Sequence, residues 1–369
     1  MKNLFILVCL TLLTFSCADK KQDIAYQISL DKVSRKAVFI DNPTYTVWGA
    51  SMVKSKDGLY HIYYSRWPKS LGWAWVTDSE IAHAIGKTPF GPFTFHDVAL
   101  PRRGKDYWDG LCTHNPTIHL FGDTYYLYYM GNTGDGKNPC KPGKADLNWI
   151  HRNNQRIGVA VADNPNGPWK RFDKPVLNRS SDSLAIDAIM TSNPSVCEMT
   201  DGKILMVYKG VGAHFPAPNY GPVDHCVAIG DTPIGPFKKY PKPVFTVKGE
   251  RFPAEDPYIW YGDGKYRAIV KRIKNEGNKT HFSLGQYESN NGIDWKESKN
   301  YLVSEVELTW ADGAYQKLAH LERPQVFLEN GQPKVLLCAA DTLDNNHIRC
   351  SFNVQIPLTI KKDFITKKK

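Results

Sequence analysis

No two cysteines of this sequence stand at C-x-x-C spacing, which argues against a thiolate zinc site or a dithiol redox centre. No long segment repeats its apolar residues at the 3.6-residue helical period, so helices do not build the core. Beyond the first residues, no run is apolar enough to cross a membrane as a helix. No basic stripe is interleaved with stacking aromatics, and nucleic acid is therefore not expected as a partner. What is abundant points elsewhere. The 369 residues include 19 Tyr, 16 Phe and 10 Trp, which favour strands, and 28 Gly and 24 Pro, which punctuate turns. The net charge of +10 suggests an anionic partner, for which an acidic glycan is the candidate.

The first residues read as an export signal. Lys2 precedes an apolar run over 4–13, then Thr14-Phe15-Ser16-Cys17. Residues 1–16 are expected to be a lipoprotein signal peptide and Cys17 the lipidated residue. The protein would then be exported and lipid-anchored to a bacterial cell membrane, at the outer membrane. Residues 17–34 are expected to be a tether, 35–360 one catalytic domain, and 361–369 a basic tail. Six cysteines remain after the signal: Cys112, Cys140, Cys197, Cys226, Cys338 and Cys350. A Cys338–Cys350 disulfide on neighbouring strands and buried free thiols are both open readings.

Internal repeats decide the fold class. Five segments share one order: a slot residue, usually a Pro, an apolar pair, a Gly turn and an apolar or aromatic strand. They begin at Gly49, Asn115, Asn193, Asp256 and Arg323. The turns are Asp57-Gly58, Gly122-Asp123, Asp201-Gly202, Asp263-Gly264 and Asn330-Gly331, mostly of the Asp-Gly and Asn-Gly type that signals hairpins. A second motif follows in Thr88-Pro89-Phe90-Gly91-Pro92-Phe93, Asn164-Pro165-Asn166-Gly167-Pro168-Trp169 and Thr232-Pro233-Ile234-Gly235-Pro236-Phe237, with a weaker copy in Asn290-Asn291-Gly292-Ile293-Asp294-Trp295. Its aromatic is expected to pack between repeats. One such unit cannot bury both faces of a sheet, but radial stacking lets each cover the next. The chain is therefore expected to be all-β, a single-domain five-bladed β-propeller, with residues before Asp41 closing the ring. The slot residues converge on one mouth of the central channel.

Glu255-Asp256-Pro257-Tyr258-Ile259 resembles the Glu-Gly-Pro-Tyr-Ile motif of the five-bladed glycoside hydrolases, families 43, 32, 68 and 117, and the Gly-Pro-Phe turn is similar to theirs. The resemblance covers the chain after the signal and implies that Glu255 is a general acid. It also implies an Asp at the first-blade slot as base or nucleophile, and an Asp at the third-blade slot that orients the acid. Here those slots hold Gly49 and Asn193, which can do neither. Candidate substitutes are the loop carboxylates Asp41, Asp109 and Asp187, and Asp256 and Glu322 at slots four and five.

The mouth is also expected to carry cations. Arg66, Lys209, Lys271 and Arg323 follow or begin inner strands and would clamp a carboxylate or sulfate. Trp48, Asn115 and Asn193 are expected to bind substrate beside them. The favoured chemistry is β-elimination at the non-reducing end of a uronic-acid oligosaccharide. His114 would remove the C5 proton and Glu255 or Tyr258 would protonate the leaving oxygen, making the enzyme a dehydratase or lyase. The alternatives are an exo-acting glycoside hydrolase with relocated carboxylates, such as Asp109 or Asp187, and a non-catalytic glycan-binding lipoprotein. The protein is expected to be monomeric, with no cofactor and no metal required. A calcium ion in the channel is compatible with the sequence, but no ligand spacing demands it.

Overall fold

The computed structural model describes residues 24–137, 147–343 and 349–364. The signal peptide, Cys17 and Cys140 lie outside them. Five antiparallel sheets follow one another along the chain, each beginning with its innermost strand. Blade one holds Tyr45–Lys54, Tyr60–Pro68, Glu80–Gly86 and Phe93–Leu100. Blade two holds Cys112–Phe121, Thr124–Asn132, Arg156–Ala162 and Lys170–Arg171. Blade three holds Met190–Glu198, Ile204–Val211, Val223–Gly230 and Phe237–Val244. Blade four holds Ala254–Gly262, Lys265–Glu276, Lys279–Ser289 and Lys296–Glu305. Blade five holds His320–Glu329, Gln332–Leu343 and Arg349–Phe364, and its outer strand is Ile24–Leu30 from the other end of the chain. This is the five-bladed, nearly all-β propeller that the repeats implied.

The closing strand moves two expected boundaries. Ile24–Leu30 falls within the expected tether, but Tyr26 and Ile28 are buried against Trp260, Leu336 and Ile356. Its partner strand runs on to Phe364, into the expected basic tail. The Cys338–Cys350 pairing is also corrected. Cys338 stands opposite Val354 and Cys350 opposite Thr342, so the two do not face each other.

Hydrophobic surface is buried mainly between blades. Val47, Ile62 and Tyr64 of blade one pack on Phe327, Val335 and Leu337 of blade five. Tyr128 and Val159 of blade two pack on Val196, Met206 and Tyr208 of blade three. The Gly-Pro-aromatic turn contributes as expected: Trp169 of blade two meets Tyr63 of blade one edge-on at 5.4 Å. The Tyr63 hydroxyl donates to the Pro165 carbonyl, and the Tyr128 hydroxyl to the Pro233 carbonyl. A hydroxyl of one blade thus fastens the turn of the next.

The feature that builds the mouth is a bulge repeated five times. Each inner strand loses register at its slot: between Trp48 and Ser51, His114 and Thr117, Ser192 and Ser195, Glu255 and Tyr258, and Glu322 and Gln325. The slot residues Gly49, Asn115, Asn193, Asp256 and Arg323 all have φ between 48° and 54°. Gly, Asn and Asp tolerate this left-handed conformation, which accounts for four of the five. The unpaired second bulge residue needs no N–H, so Pro fits it. In blade one Ala50 stands there, and its N–H goes to Asn353 Oδ1 at 3.0 Å. A bulge re-aims side chains, and here it delivers Trp48, His114, Glu255 and Glu322 to one opening.

Gly49 is held to glycine twice. Its φ is +49°, and a Cβ there would lie 2.6 Å from Cγ of the fully buried Arg323. Gly49→Ala is expected to destabilise the fold by about 1–3 kcal/mol, read as a lower urea midpoint.

Candidate active site

A cavity of about 220 Å³ opens at the end of the channel where the bulges lie. Its walls are Trp48, Trp67, Trp73 and Trp75, and its polar lining includes His114, Asn115, Asn193, Lys209, Glu255, Asp256, Lys271, His320 and Glu322. Lys209 and Lys271 arrive from second strands, opposite Ser192 and Glu255 respectively. Trp73 and Trp75 come from the loop between the second and third strands of blade one.

Three carboxylates and two ammoniums meet here. Lys209 Nζ lies 2.8 Å from Glu255 Oε1, and Lys271 Nζ lies 3.1 Å from Glu255 Oε2. The same Lys271 ammonium is 2.5 Å from Glu322 Oε1. Sharing it makes the Glu255 and Glu322 carboxylates neighbours at the mouth. Asp256 accepts from Asn193 Nδ2 at 2.5 Å, and Asn193 in turn accepts from Asn115 Nδ2 at 2.8 Å.

These surroundings drive neighbouring carboxyls apart. Burial alone would raise the pKa of Glu255, but the Lys209 and Lys271 charges outweigh it and hold the group well below the ordinary carboxylate range. Asp256 is pushed up to about 6 by burial and by the Glu255 charge, against the pull of Arg323, Lys209 and Lys271. Burial, with Arg323 and Lys209 adding repulsion, drops His114 well below its usual value, so it is a neutral imidazole. Its Nδ1 lies 2.8 Å from Ser79 Oγ, and its ring lies between Trp67 and Trp75 at 5.8 and 5.2 Å.

The loop carboxylates are structural. The hydroxyls of Tyr64, Tyr129 and Tyr208 donate to Asp41, Asp109 and Asp187 at 2.8, 2.6 and 2.9 Å, one in each of the first three blades. Each also has a cation: Arg66 at 2.8 Å from Asp41, Arg103 at 2.7 Å from Asp109, and Lys239 at 2.5 Å from Asp187. None of the three lines the cavity, which corrects the expectation that Asp109 or Asp187 is catalytic. Arg66 is consumed by Asp41 and by Glu80 at 3.0 Å, so it is not a substrate clamp. Arg323 is completely buried on the axis, where Nη2 donates to the Asn115 carbonyl at 2.7 Å. It supports the floor and meets no ligand. Tyr258 lies past the bulge and lines a different cavity, with Met52, Ile118, His119 and Val326 from the far ends of the inner strands. It cannot serve as the acid at this mouth.

Glu255, His114, Trp48, Asn115, Asn193, Lys209 and Lys271 are brought together as expected. Trp67, Trp73, Trp75 and His320 carried no expectation from the sequence. The dense run Trp67, Trp73, Trp75 was the available signal for the first three. His320 had none: Nδ1 lies 2.8 Å from the buried Asp341, which Arg349 also holds at 2.7 Å, and that triad exists only across strands.

No family model matches the chain, and no curated protein does. Solved structures do. A family 117 glycoside hydrolase produced by the marine bacterium Zobellia galactanivorans superposes with a TM-score of 0.61 at 20% identity, over 90% of this chain and 90% of its own. The fold is that of the five-bladed glycoside hydrolases. A thermostable family-43 glycoside hydrolase gives 0.55 at 12% identity over 90% of this chain and 98% of its own. An endo-arabinase from Bacteroides thetaiotaomicron gives 0.51 at 12% identity over 92% and 100%. The resemblance carried by Glu255-Asp256-Pro257-Tyr258-Ile259 therefore holds in the fold, while two family carboxylate positions remain Gly49 and Asn193.

Proposed function

We propose that this protein is a carbohydrate-active enzyme that hydrolyses the terminal residue of an oligosaccharide in the tryptophan-walled cavity. The observation that carries the reading is the convergence of Glu255, Asp256 and Glu322 on that cavity, with Asp256 and Glu255 displaced in opposite directions from their ordinary pKa values. Such a divergence is what separates an acid from a base in one site. Asp256 is the group able to hold a proton near neutral pH and give it to the glycosidic oxygen as the C1–O bond breaks. Glu255, kept ionised by two ammoniums, takes a proton from the water that attacks C1. This exchanges the roles that the resemblance implies, in which Glu255 is the acid. Glu322 fixes Lys271 from its other side. A small cavity with aromatic walls and a few fixed polar groups suits one sugar ring at a chain end.

An acidic sugar is no longer required. Lys209 and Lys271 are neutralised by Glu255 and Glu322, and Arg66 and Arg323 are elsewhere. One observation still favours β-elimination: neutral His114 shares the mouth with the Lys209 ammonium. Incubation with neutral and uronic-acid-terminated oligosaccharides separates the two. Hydrolysis produces new reducing ends without absorbance from a 4,5-double bond. Absorbance from that bond, with or without new ends, overturns the hydrolytic reading. Export and the lipid at Cys17 remain part of the proposal and are tested by the membrane fractionation of Cys17→Ser; a monomeric state is tested by sedimentation.

A further inference from the structure

Blade one carries a second constellation, on its outer strands and away from the mouth. His83 and Asp97 are cross-strand partners on the third and fourth strands. The fourth strand bulges between Asp97 and Phe95, which pair with the consecutive residues His83 and Ala84. His96 is the extra residue of that bulge. Alternation would send His96 and Asp97 to opposite faces, and the bulge gathers both beside His83. The nitrogen or carboxylate oxygen that each of the three offers lies within 4.8 Å of the others. Among the described residues this is the sole His/Cys/Asp/Glu group so gathered.

A hydrogen-bond relay fixes which way His83 presents itself. The Ser55 hydroxyl has one proton and two neighbours that can only accept, the Asp57 carboxylate and the Leu59 carbonyl. Ser55 Oγ must then accept from His61 Nε2, 3.0 Å away. A neutral His61 is left with a lone pair on Nδ1, and it accepts from His83 Nε2 at 2.9 Å. That leaves the lone pair of His83 on Nδ1, which faces Asp97 Oδ1 at 3.2 Å. Two acceptors at hydrogen-bond distance repel unless a proton or a metal ion lies between them. The His96 ring lies 5.2 Å from that of His83, so a third donor stands beside this pair.

We propose that His83 Nδ1, His96 and Asp97 bind a divalent transition-metal ion of the zinc class on the rim of blade one. Two imidazoles and a carboxylate are a donor set for such ions, with bonds of about 2.0–2.2 Å and a fourth position left to solvent. His61 is the outer partner that orients the buried ligand. The ion ties the third strand of the blade to the fourth, where the bulge interrupts their ladder. The argument against zinc from cysteine spacing does not touch this site, because none of its ligands is a thiolate.

The test uses the full chain after its lipid signal, stripped with EDTA and titrated calorimetrically with zinc chloride. His96 is exposed and Asp97 half-exposed, so His96→Ala and Asp97→Asn should fold. Wild type is expected to bind one zinc per chain, and each variant to bind at least about tenfold more weakly. Excess zinc should raise the melting temperature of wild type more than that of either variant. Failure of wild type to bind zinc, or equal binding by the variants, overturns the proposal. In that event a proton on Asp97, donated to His83 Nδ1, is what relieves the contact.

Discussion

Asp256→Asn is expected to fold normally and to lose the chemical step by about 10²–10⁴-fold, the contribution of a positioned acid. Asn suits the left-handed bulge as well as Asp does, as Asn115 and Asn193 demonstrate at the matching slots. The bond from Asn193 Nδ2 can also survive if the new amide presents its oxygen. What disappears is the proton. Because the Asp256 carboxyl is raised to about 6, it is protonated below that pH and ionised above it. The wild-type rate should therefore fall as pH rises through about 6, and the variant should lack this limb. The measurement is kcat against pH on an oligosaccharide that the wild type cleaves. A variant with wild-type kcat, or a wild type that gains activity as pH rises through 6, would remove Asp256 from the role of acid.

The second large effect is structural and electrostatic together. Lys271→Met removes the buried ammonium shared by Glu255 and Glu322, leaving one half-buried carboxylate to Lys209 alone and the other without it. Breaking a buried ion pair from one side costs about 3–5 kcal/mol, and urea unfolding at pH 7 should show a loss of that order. The sign with pH follows from Glu255. Its folded pKa lies below the ordinary 4.5, so its pairing stabilises the fold above pH 4.5, and that stability is lost as pH falls toward the folded value. Without Lys271 the depression shrinks. The deficit of the variant should be greatest at neutral pH and narrow below pH 4.5. Activity should fall as well, because Glu255 no longer stays ionised as securely. A variant equally stable at pH 7 would mean that Lys271 is free to meet substrate charge, and the acidic-sugar reading would regain its footing.

The propeller was legible because the same physical problem recurs five times along the chain. Each blade needs a left-handed bulge followed by a Pro-tolerant position, and Gly49-Ala50, Asn115-Pro116, Asn193-Pro194, Asp256-Pro257 and Arg323-Pro324 record that need in residue types. A bulge at a fixed place in an inner strand also determines which residue precedes it, so Trp48, His114 and Glu255 could be assigned to the mouth from order alone. Tyr258 shows the limit of that reasoning. It stands only three residues after Glu255, but the bulge lies between them and the strand carries it toward the other end of the channel.

Sequence by itself determined the fold class, the closure of the ring by an early strand and the place of Trp48, His114 and Glu255 at the mouth, because local backbone preference and repeat spacing are written along the chain. Which charges are free was decided by tertiary structure alone. Arg66, Arg323, Lys209 and Lys271 read as four cations awaiting an acidic sugar. Folding gives Arg66 to Asp41 and Glu80, buries Arg323 beneath the floor, and spends both lysines on Glu255 and Glu322. Charge interactions act across space between blades, over sequence separations that no local pattern records, and a buried cation must find its partner wherever the fold puts one.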